Sequence, residues 1–439
     1  MEFYYIGLSE VMTGMNDFPG FDTIVEPRIA ATASRGKHSI LRFYMDYPQP
    51  EGSYVSHTPQ FLIDDYNLQM TPWSSVDLNA VGLSPDYSDE NLKIALSNFV
   101  AALGNRFDAD PRIGFIQVGL LGFWGEWHTW TEDSATHNWI PDTTKMELID
   151  AFDTAFQTTQ VQIRYPHWYA VGDNQRQGFG LHDDSFAHST IDEGVYGTPM
   201  SWFFWPSVQA NAADVFWMSG AMGGEIRPEL QSTIFNDDYA AGTPYKQDFG
   251  LCAETTHATY MLNYYAFAAS YAGNAIALEN ARAASDLMGY AFRLTEVSVA
   301  EGVEANTVDI TATVIQDGIA PFYYDLGLEL SCPGDFSVTL AGVDDIVSEG
   351  SSASFTFSSV PATSACLSSL SLSLSSSYAL AGAPVKFAQG SDGSVIEISL
   401  PLPPGSSPPT ALPTQAPVKV TSSPSSQPTN QVSLSISTA

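Results

Sequence analysis

Glu126, a glutamate between two tryptophans, is the side chain of this sequence best placed to do chemistry. It lies in the segment Phe123–Thr129, directly after the apolar, glycine-punctuated run Ile113–Gly122. Such a run is typical of a buried parallel strand, so we expect Glu126 just past a strand end. A carboxyl group flanked by indole rings is poorly solvated and titrates high, as a general acid for sugar chemistry must. The alternative is that Glu126 caps the next helix or pairs with an arginine.

Glu225 is a second carboxylate in a comparable setting. It ends the segment Phe216–Glu225, in which an apolar stretch is followed by small residues that let the backbone crowd a site. Pro228 suits the first turn of a helix, so the alternative is a charge at a helix N-terminus.

Two carboxylates facing each other can cleave a glycosidic bond. We assign Glu126 as the general acid/base and Glu225 as the nucleophile that attacks the anomeric carbon. A carboxylate separation of about 5–5.5 Å predicts retention of configuration, and about 6.5–9.5 Å predicts inversion. The sequence therefore predicts a glycoside hydrolase acting on a neutral poly- or oligosaccharide.

More polar residues are selected because functional side chains of a parallel barrel lie at the carboxyl ends of its strands. Arg42 is expected to hold a carboxylate ionised or to bind substrate. The cluster His182–Asp184 is expected to bind sugar hydroxyls rather than a divalent ion, since three adjacent residues rarely point at one centre. The same rule selects Glu254. The polar residues expected to contact substrate are Arg42, Asp46, His128, His167, His182, Asp183 and His257; a scaffold role is the alternative for the lone histidines.

Tryptophans are concentrated in the middle of the chain. Eight of the nine fall between Trp124 and Trp217. Flat apolar rings in loops suit the C–H faces of sugars, an extension of the amphipathic character of indole. Core packing, a hydrophobic lid or a protein contact are the alternatives. The tryptophans expected to contact sugar are Trp124, Trp127, Trp202 and Trp205.

These side chains require a scaffold of alternating strands and helices, which residues 1–290 predict. The fold expected is an α/β (β/α)8 TIM-type barrel. Seven strands are counted, so we expect the first strand to lie upstream of Met1. The predicted strands are Phe3–Leu8, Ser39–Tyr44, Ile113–Leu121, Val161–Tyr165, Gly178–Leu181, Val215–Ser219 and Phe249–Cys252, and the predicted helices are Asn91–Phe107, Thr143–Phe156 and Thr256–Tyr271.

The chain changes character at residue 291. Residues 291–399 alternate apolar and polar side chains between turns, which predicts an antiparallel β-sandwich accessory domain. Residues 400–439 are rich in Pro, Ser and Thr and predict a disordered tail. Whether Cys332 and Cys366 form a disulfide is left open by their spacing.

Composition excludes several classes of function. The formal net charge is −33, which argues against nucleic acid or an anionic membrane surface as a partner. Neither a metal-ligand spacing nor a phosphate-loop motif occurs, so no metal or cofactor is expected. No apolar run is long enough for membrane insertion. The acidity and the tail favour a secreted or cell-surface location, although no signal peptide is visible.

Five segments together resemble a pair of uncharacterised families, domains of unknown function 4832 and 4874. The resemblance covers roughly residues 1–390 and implies a glycoside-hydrolase-like barrel followed by a β-sandwich, with a carbohydrate role but no established activity. Barrel hydrolases with this pair of glutamates usually place Asn before the acid/base, where this sequence has Gly125. The segments are Arg42–Pro48, Gly119–His128, Gly224–Pro228, His257–Asn263 and Met288–Leu294.

Three functions remain open from the sequence. The first is the hydrolase, and the second is a non-catalytic carbohydrate-binding or cell-wall protein that uses the same barrel mouth. The third is a structural or adhesive protein in which the barrel is only a scaffold. Fold similarity does not choose among them.

Overall fold

The structure is a computed structural model. It describes residues 1–50, 53–75, 78–129, 140–168, 179–194, 200–265, 274–332, 336–389, 395–398 and 418–419. The chain divides into two compact units, one containing residues 1–256 and 260–281 and the other containing residues 257–259 and those from 282 onward.

A parallel six-stranded sheet forms the centre of the first unit. Its strand order is β1-β2-β5-β6-β7-β8, and β3 and β4 form a separate antiparallel pair. Every neighbouring pair in the large sheet is parallel, as expected where helices connect successive strands. The strands are β1 (Glu2–Gly7), β2 (Ser39–Tyr44), β3 (Met70–Ser75), β4 (Ala80–Pro85), β5 (Ile113–Gln117), β6 (Val161–Ile163), β7 (Gly180–Phe186) and β8 (Met222–Ile226).

The six-stranded sheet is curled. Adjacent strands lie about 4.8 Å apart, so the edge strands β1 and β8 of a flat sheet would be about 24 Å apart. Instead, Tyr5 of β1 donates a 3.0 Å hydrogen bond to Glu225 of β8. Arg42 of β2 likewise reaches Asp184 of β7 at 2.9 Å. The inward-facing side chains of distant strands therefore meet in one place.

A complete eight-stranded barrel is not present among the described elements. They supply six parallel strands and a single parallel bridge between Glu225 and Leu262, which extends the curled sheet past β8. The supported architecture is a mixed α/β unit with a curled parallel sheet.

The helices of the first unit come between the strands in the order of the sequence. α4 is the longest; Asp89 caps it by accepting hydrogen bonds from two backbone N–H groups of its first turn. Its apolar face packs on the sheet, with Phe99 edge-on to Phe43 at 4.9 Å. The helices are α1 (Leu8–Val11), α2 (Glu26–Ala33), α3 (Gln60–Asp64), α4 (Glu90–Phe107), α5 (Asp142–Ala155), α6 (Phe204–Ala210), α7 (Phe249–Thr256) and Ala275–Leu287, with a π-helical turn at Phe21–Val25 and 3-10 turns at Pro166–Trp168 and Phe216–Met218.

Two predicted strands are wrong, and the predicted helix Thr256–Tyr271 is not helical over residues 257–265; the rest of it lies outside the described residues. Val215–Ser219 contains a 3-10 turn, and the strand comes later, at Met222–Ile226. Phe249–Cys252 begins helix α7, which ends at Thr256, where a helix was expected to start. Short apolar runs fit a buried strand or a buried helix equally well, which explains the errors.

The second unit contains two four-stranded antiparallel sheets. Their orders are β13-β10-β9-β16 and β12-β11-β14-β15. Buried residues of both sheets form one apolar cluster that includes Ile310, Phe357, Leu330 and Leu372, so the sheets pack face to face as a sandwich. The strands are β9 (Phe292–Glu301), β10 (Thr307–Gln316), β11 (Gly327–Cys332), β12 (Phe336–Ala341), β13 (Ser352–Pro361), β14 (Leu370–Ser375), β15 (Ile396–Ile398) and β16 (Val418–Lys419), with a short helix at Ser364–Leu367.

A disulfide joins Cys332 and Cys366 within the sandwich, with a Cα–Cα distance of 4.9 Å. Of the predicted disordered tail, only Val418–Lys419 is described, and it pairs with β9. The rest of that tail lies outside the described residues.

Across the described helices, none combines the length and the apolarity needed to cross a membrane.

Candidate active site

The loop after β5 places Glu126. Backbone hydrogen bonds hold this loop to its neighbours: Trp124 N–H donates to Asp46 O at 2.8 Å, and Trp127 N–H donates to Leu121 O at 2.9 Å. Trp124 and Trp127 both have a positive φ, a conformation that costs a non-glycine residue of order 1–3 kcal/mol. This local strain is maintained only because the surrounding contacts fix the loop, and the result is a single position for Glu126.

Gly125 is required by its surroundings. Its φ is +70°, and a Cβ at this position would lie 2.9 Å from Phe43 O and 3.1 Å from Gly119 Cα. Asparagine tolerates a positive φ but brings a Cβ. The tight approach of the loop to β2 therefore explains why residue 125 of this chain is glycine.

Cationic groups surround the carboxylate of Glu126, whose side chain is 14% exposed. Arg42 Nη1 lies 3.6 Å from its Oε1, and Arg164 Nε lies 3.9 Å from its Oε2. His128 Nε2 lies 3.1 Å from the same Oε2. The carboxylate of Glu126 therefore lies within 4 Å of nitrogen atoms from three side chains.

Glu225 lies within β8 rather than after it, and its side chain points into the curled sheet. Tyr5 Oη donates to Oε2 at 3.0 Å, and Gln231 Nε2 donates to Oε1 at 2.8 Å. Burial, together with the negative charges of Asp184 and Glu126, raises the pKa of Glu225 to about 7, although Arg42 and Tyr5 act in the opposite direction. Near neutral pH this carboxyl group exchanges a proton readily.

Glu126 and Glu225 lie near each other at the cavity. Contacts of 3.6, 3.1 and 3.0 Å run from Glu126 Oε1 through Arg42 Nη1 and Tyr5 Oη to Glu225 Oε2. The two carboxyl oxygens therefore lie less than about 10 Å apart, whereas carboxylate pairs in glycoside hydrolases are separated by about 5–9.5 Å.

A buried ion-pair network supports the two glutamates from below. Arg42 is fully buried; its Nη2 donates to both carboxyl oxygens of Asp184 at 2.9 Å, and its Nε donates to Gln117 at 2.6 Å. Although burial opposes ionisation, the charges of Arg42 and Arg164, together with a hydrogen bond from His182, hold the pKa of Asp184 well below its usual range. Arg42 thus holds a carboxylate ionised, one of the two roles predicted for it.

The site opens into a cavity of about 870 Å³, within the range typical of small-molecule sites. Aromatic and charged side chains alternate around it. Among the predicted site residues, those that line the cavity are Glu126, Glu225, Trp124, Trp127, His128, Asp183 and Trp202.

Trp202 and Trp127 contribute to the cavity differently. Trp202 is 61% exposed at the cavity, whereas Trp127 is buried and donates its indole N–H to Gly119 O at 3.0 Å. Trp127 is therefore first a structural residue of the Glu126 loop.

Several residues predicted to contact substrate do not line the cavity. His182 is fully buried beneath it, next to Asp184, and burial lowers the pKa of His182 to about 4. Asp46 is fully buried beside Ser84, and its backbone supports Trp124. His257 belongs to the second unit, where its Nδ1 lies 2.7 Å from Ile319 O. Arg42, His167 and Trp205 are also absent from the cavity lining, and Glu254, selected by the strand-end rule, lies within helix α7.

Sequence reasoning missed Tyr5, Arg164 and Gln231. Arg164 directly follows β6, so the strand-end rule could have identified it. Tyr5 lies inside β1 and Gln231 lies beyond β8, and nothing in the local sequence pattern connects either of them to Glu225.

No cluster of three or more His, Cys, Asp or Glu side chains suited to a metal ion occurs within the described parts of the chain.

Comparison with known proteins yields little. No protein-family profile matches this sequence, and no curated protein matches it. A β-glucosidase from Listeria innocua, solved in complex with glucose, is 12% identical over 71% of this chain. The match spans 38% of that chain, with a TM-score of 0.17. A likeness this weak carries no argument about fold or function.

Proposed function

We propose that this protein is a glycoside hydrolase that uses Glu126 and Glu225 as its pair of carboxyl groups. The observation that carries the proposal is the contrast between them: Glu225 is partly buried at the cavity with a pKa raised to about 7, whereas Arg42, Arg164 and His128 surround Glu126. A carboxyl group that can hold a proton near neutral pH, next to a second carboxyl group, is what hydrolysis of a glycosidic bond requires.

The electrostatics favour a division of roles opposite to the one expected from the sequence. Glu225 donates its proton to the leaving-group oxygen as the C–O bond breaks. Glu126, which lies beside Arg42 and Arg164, attacks the anomeric carbon or removes a proton from an attacking water. Which of these occurs depends on the carboxylate separation within the limit of about 10 Å.

The cavity favours a neutral carbohydrate. Each described cation of its wall stands beside a carboxylate: Arg164 beside Asp184, Arg227 beside Glu229, and Lys145 beside Asp142. No described cation of the wall is therefore left over to pair with an anionic substrate, and the wall offers donors and acceptors for hydroxyl groups. Trp124 and Trp202 supply flat apolar faces for sugar rings.

We also propose a complete fold and a cellular location for this protein, both of which go beyond the six described strands of the sheet. We propose that the curled sheet belongs to a (β/α)8 barrel of the two families that the sequence resembles. A secreted or cell-surface location fits an enzyme that acts on polysaccharide.

Turnover of a panel of neutral glycans by the wild type, Glu126→Gln and Glu225→Gln tests the proposal. Each substitution keeps the shape of the side chain but removes its acid–base function. We expect both to reduce kcat at least about 10³-fold with unchanged circular dichroism. Full activity in either variant would exclude that residue from catalysis.

One observation favours a non-catalytic carbohydrate-binding role as the second candidate. Both carboxyl oxygens of Glu225 already accept hydrogen bonds, from Tyr5 and Gln231. Saturable glycan binding in calorimetry without any product in the same samples would support this role over hydrolysis.

A further inference from the structure

Two side chains bridge the glutamates of the site. Tyr5 Oη donates to Glu225 Oε2 at 3.0 Å and accepts from Arg42 Nη1 at 3.1 Å. The same Arg42 Nη1 is 3.6 Å from Glu126 Oε1. Neither glutamate can therefore change its charge without changing the field at the Tyr5–Arg42 bridge.

The bridge is fixed in place. The guanidinium of Arg42 is held on its other sides by Gln117 and by both oxygens of Asp184. It also lies 5.0 Å from the centre of the Tyr5 ring. A buried, fully engaged guanidinium cannot turn away, so the Tyr5 hydroxyl has one stable direction, towards Glu225.

We propose that Tyr5 is a positioning residue for Glu225, and that Arg42 connects it to Glu126 so that the two carboxyl groups share protons as one unit. The catalytic consequence of this inference rests on the proposed function, whereas the shared titration does not.

The bridge has a clear role in a proton-transfer step. When Glu225 gives its proton to the leaving-group oxygen, the O–H bond of the carboxyl group breaks and a carboxylate remains. Tyr5 and Gln231 both donate to that carboxylate and stabilise it. Arg42 donates to Tyr5 and so makes its hydroxyl a stronger donor. Tyr5 thereby opposes the burial that would otherwise hold the proton too tightly.

Several charged and titratable groups besides Tyr5 act on the pKa of Glu225. Arg42 favours its ionised form, whereas the negative charges of Asp184 and Glu126 oppose it. The side chains that face Glu225 come from four strands or their following loops: Tyr5 from β1, Arg42 and Tyr47 from and after β2, Glu126 from after β5, and Asp184 from β7. Removing the Tyr5 hydroxyl leaves all the other groups in place.

The test is a titration of Glu225 followed by carbon-13 NMR of its carboxyl group between pH 4 and 9. In Tyr5→Phe we expect the midpoint to rise by roughly 0.5–1 unit, because the carboxylate loses one donor. In Glu126→Gln we expect the midpoint to fall, because a neighbouring negative charge is gone. In an activity assay, the Tyr5→Phe substitution should move the alkaline limb of the pH profile upward by the same amount.

Tyr4→Phe is the matched control. Tyr4 is the neighbouring residue of β1, and its hydroxyl contacts Glu2 at 3.1 Å and Thr32 at 2.7 Å. Its loss removes a comparable hydrogen bond from the same strand, and the Glu225 midpoint should not move. An unchanged midpoint in Tyr5→Phe, or equal shifts in both tyrosine variants, would overturn the inference. If Tyr5→Phe does not fold, an unchanged Glu225 midpoint in Glu126→Gln would overturn it equally.

The two proposals fail separately. Shifted titrations without hydrolysis of any glycan would refute the proposed function and leave the proton-sharing pair intact. Hydrolysis with unshifted titrations would do the reverse.

Discussion

The two units of this chain treat buried polar groups in opposite ways. Below the cavity of the first unit, Arg42, Asp183 and Asp184 are almost completely removed from solvent. In the described part of the second unit from residue 282 onward, no charged residue is buried, and only a few polar residues such as Gln316 are. The sandwich has an apolar core and a disulfide between Cys332 and Cys366 instead.

The difference shows that the buried charges of the first unit serve its site, whereas the apolar core of the second unit serves stability. A buried ion pair offsets its own desolvation at best, whereas apolar burial stabilises a fold directly. The first unit therefore keeps its charges at a cost in stability, which is expected of a site where geometry and charge do the work. All nine tryptophans precede residue 218, so tryptophan fluorescence reports unfolding of the first unit alone.

Arg42→Met gives the largest effect expected from this contrast. The substitution leaves Asp184 buried without its main counter-charge, so the free energy of unfolding of the first unit should fall by about 3–5 kcal/mol. Urea unfolding followed by tryptophan fluorescence measures it.

The matched control for Arg42→Met is Arg293→Met in the sandwich. Arg293 forms a 2.7 Å ion pair with Asp317, but both side chains are more than a third exposed. Its loss should cost less than about 1 kcal/mol. Similar losses in the two variants would show that burial does not distinguish the two ion pairs.

Removing the disulfide tests the other side of the comparison. Cys332 and Cys366 are separated by 34 positions, and a crosslink closing a loop of that size stabilises a fold by about 4 kcal/mol. In Cys332→Ser/Cys366→Ser, the free energy of opening measured by hydrogen exchange in β11 and β14 should fall by that amount. The tryptophan fluorescence transition should stay where it is, and dithiothreitol should have no further effect on the variant. Unchanged exchange in both strands would contradict the assignment of the disulfide to stability.

Gly125→Ala should cost about 2–3 kcal/mol in the first unit. Alanine at φ +70° costs about 1 kcal/mol, and its Cβ must also displace Phe43 O, which would be 2.9 Å away. Denaturant midpoints give the loss of stability, and the reaction rate should fall because Glu126 is the next residue.

Gly350→Ala isolates the conformational part of that cost. Gly350 has φ +77°, and a Cβ there would meet no described atom within 4 Å. This variant of the sandwich should lose only about 1 kcal/mol. If Gly125→Ala is no worse, close packing of the loop on β2 does not explain the glycine.

Periodicity in the sequence predicts the parts of the fold that depend on one face being apolar. Helix α4, helix α5 and the sandwich strand β10 appear where the pattern places them, because each buries its own stripe of side chains. The strand predicted at Phe249–Cys252 is wrong because an apolar run this short does not show the period of a strand or of a helix.

The site was only partly predictable for a related reason. Glu126 and Glu225 were identified from local sequence and do line one cavity. Tyr5 contacts Glu225 across 220 positions of sequence, and only the curl of the sheet brings the two together. A local pattern cannot contain that contact.

Asp46→Asn is the smallest predicted effect, and it has the opposite sign. Burial raises the pKa of Asp46 to about 7, against the hydrogen bonds from Ser84 and Trp73. The folded protein thus keeps a proton that the unfolded chain releases near pH 4, so stability falls between about pH 4 and pH 7 and stays reduced above it. Asparagine removes this pH-dependent penalty. We expect the variant to be about 1–2 kcal/mol more stable than the wild type at pH 8, because a new buried amide donor offsets part of the gain.

The pH series of thermal unfolding separates this mechanism from simple repacking. At pH 4 the wild-type carboxyl group is protonated in the folded state and partly protonated in the unfolded chain, so the advantage of Asp46→Asn should shrink greatly or reverse. Glu2→Gln should show the opposite pH dependence. Despite burial, hydrogen bonds from Arg35 and Thr32 lower the pKa of Glu2 to about 2. The substitution should therefore lower the free energy of unfolding above pH 4 and change it least in acid. An Asp46→Asn effect that is the same at every pH would place its origin in packing and not in the buried charge.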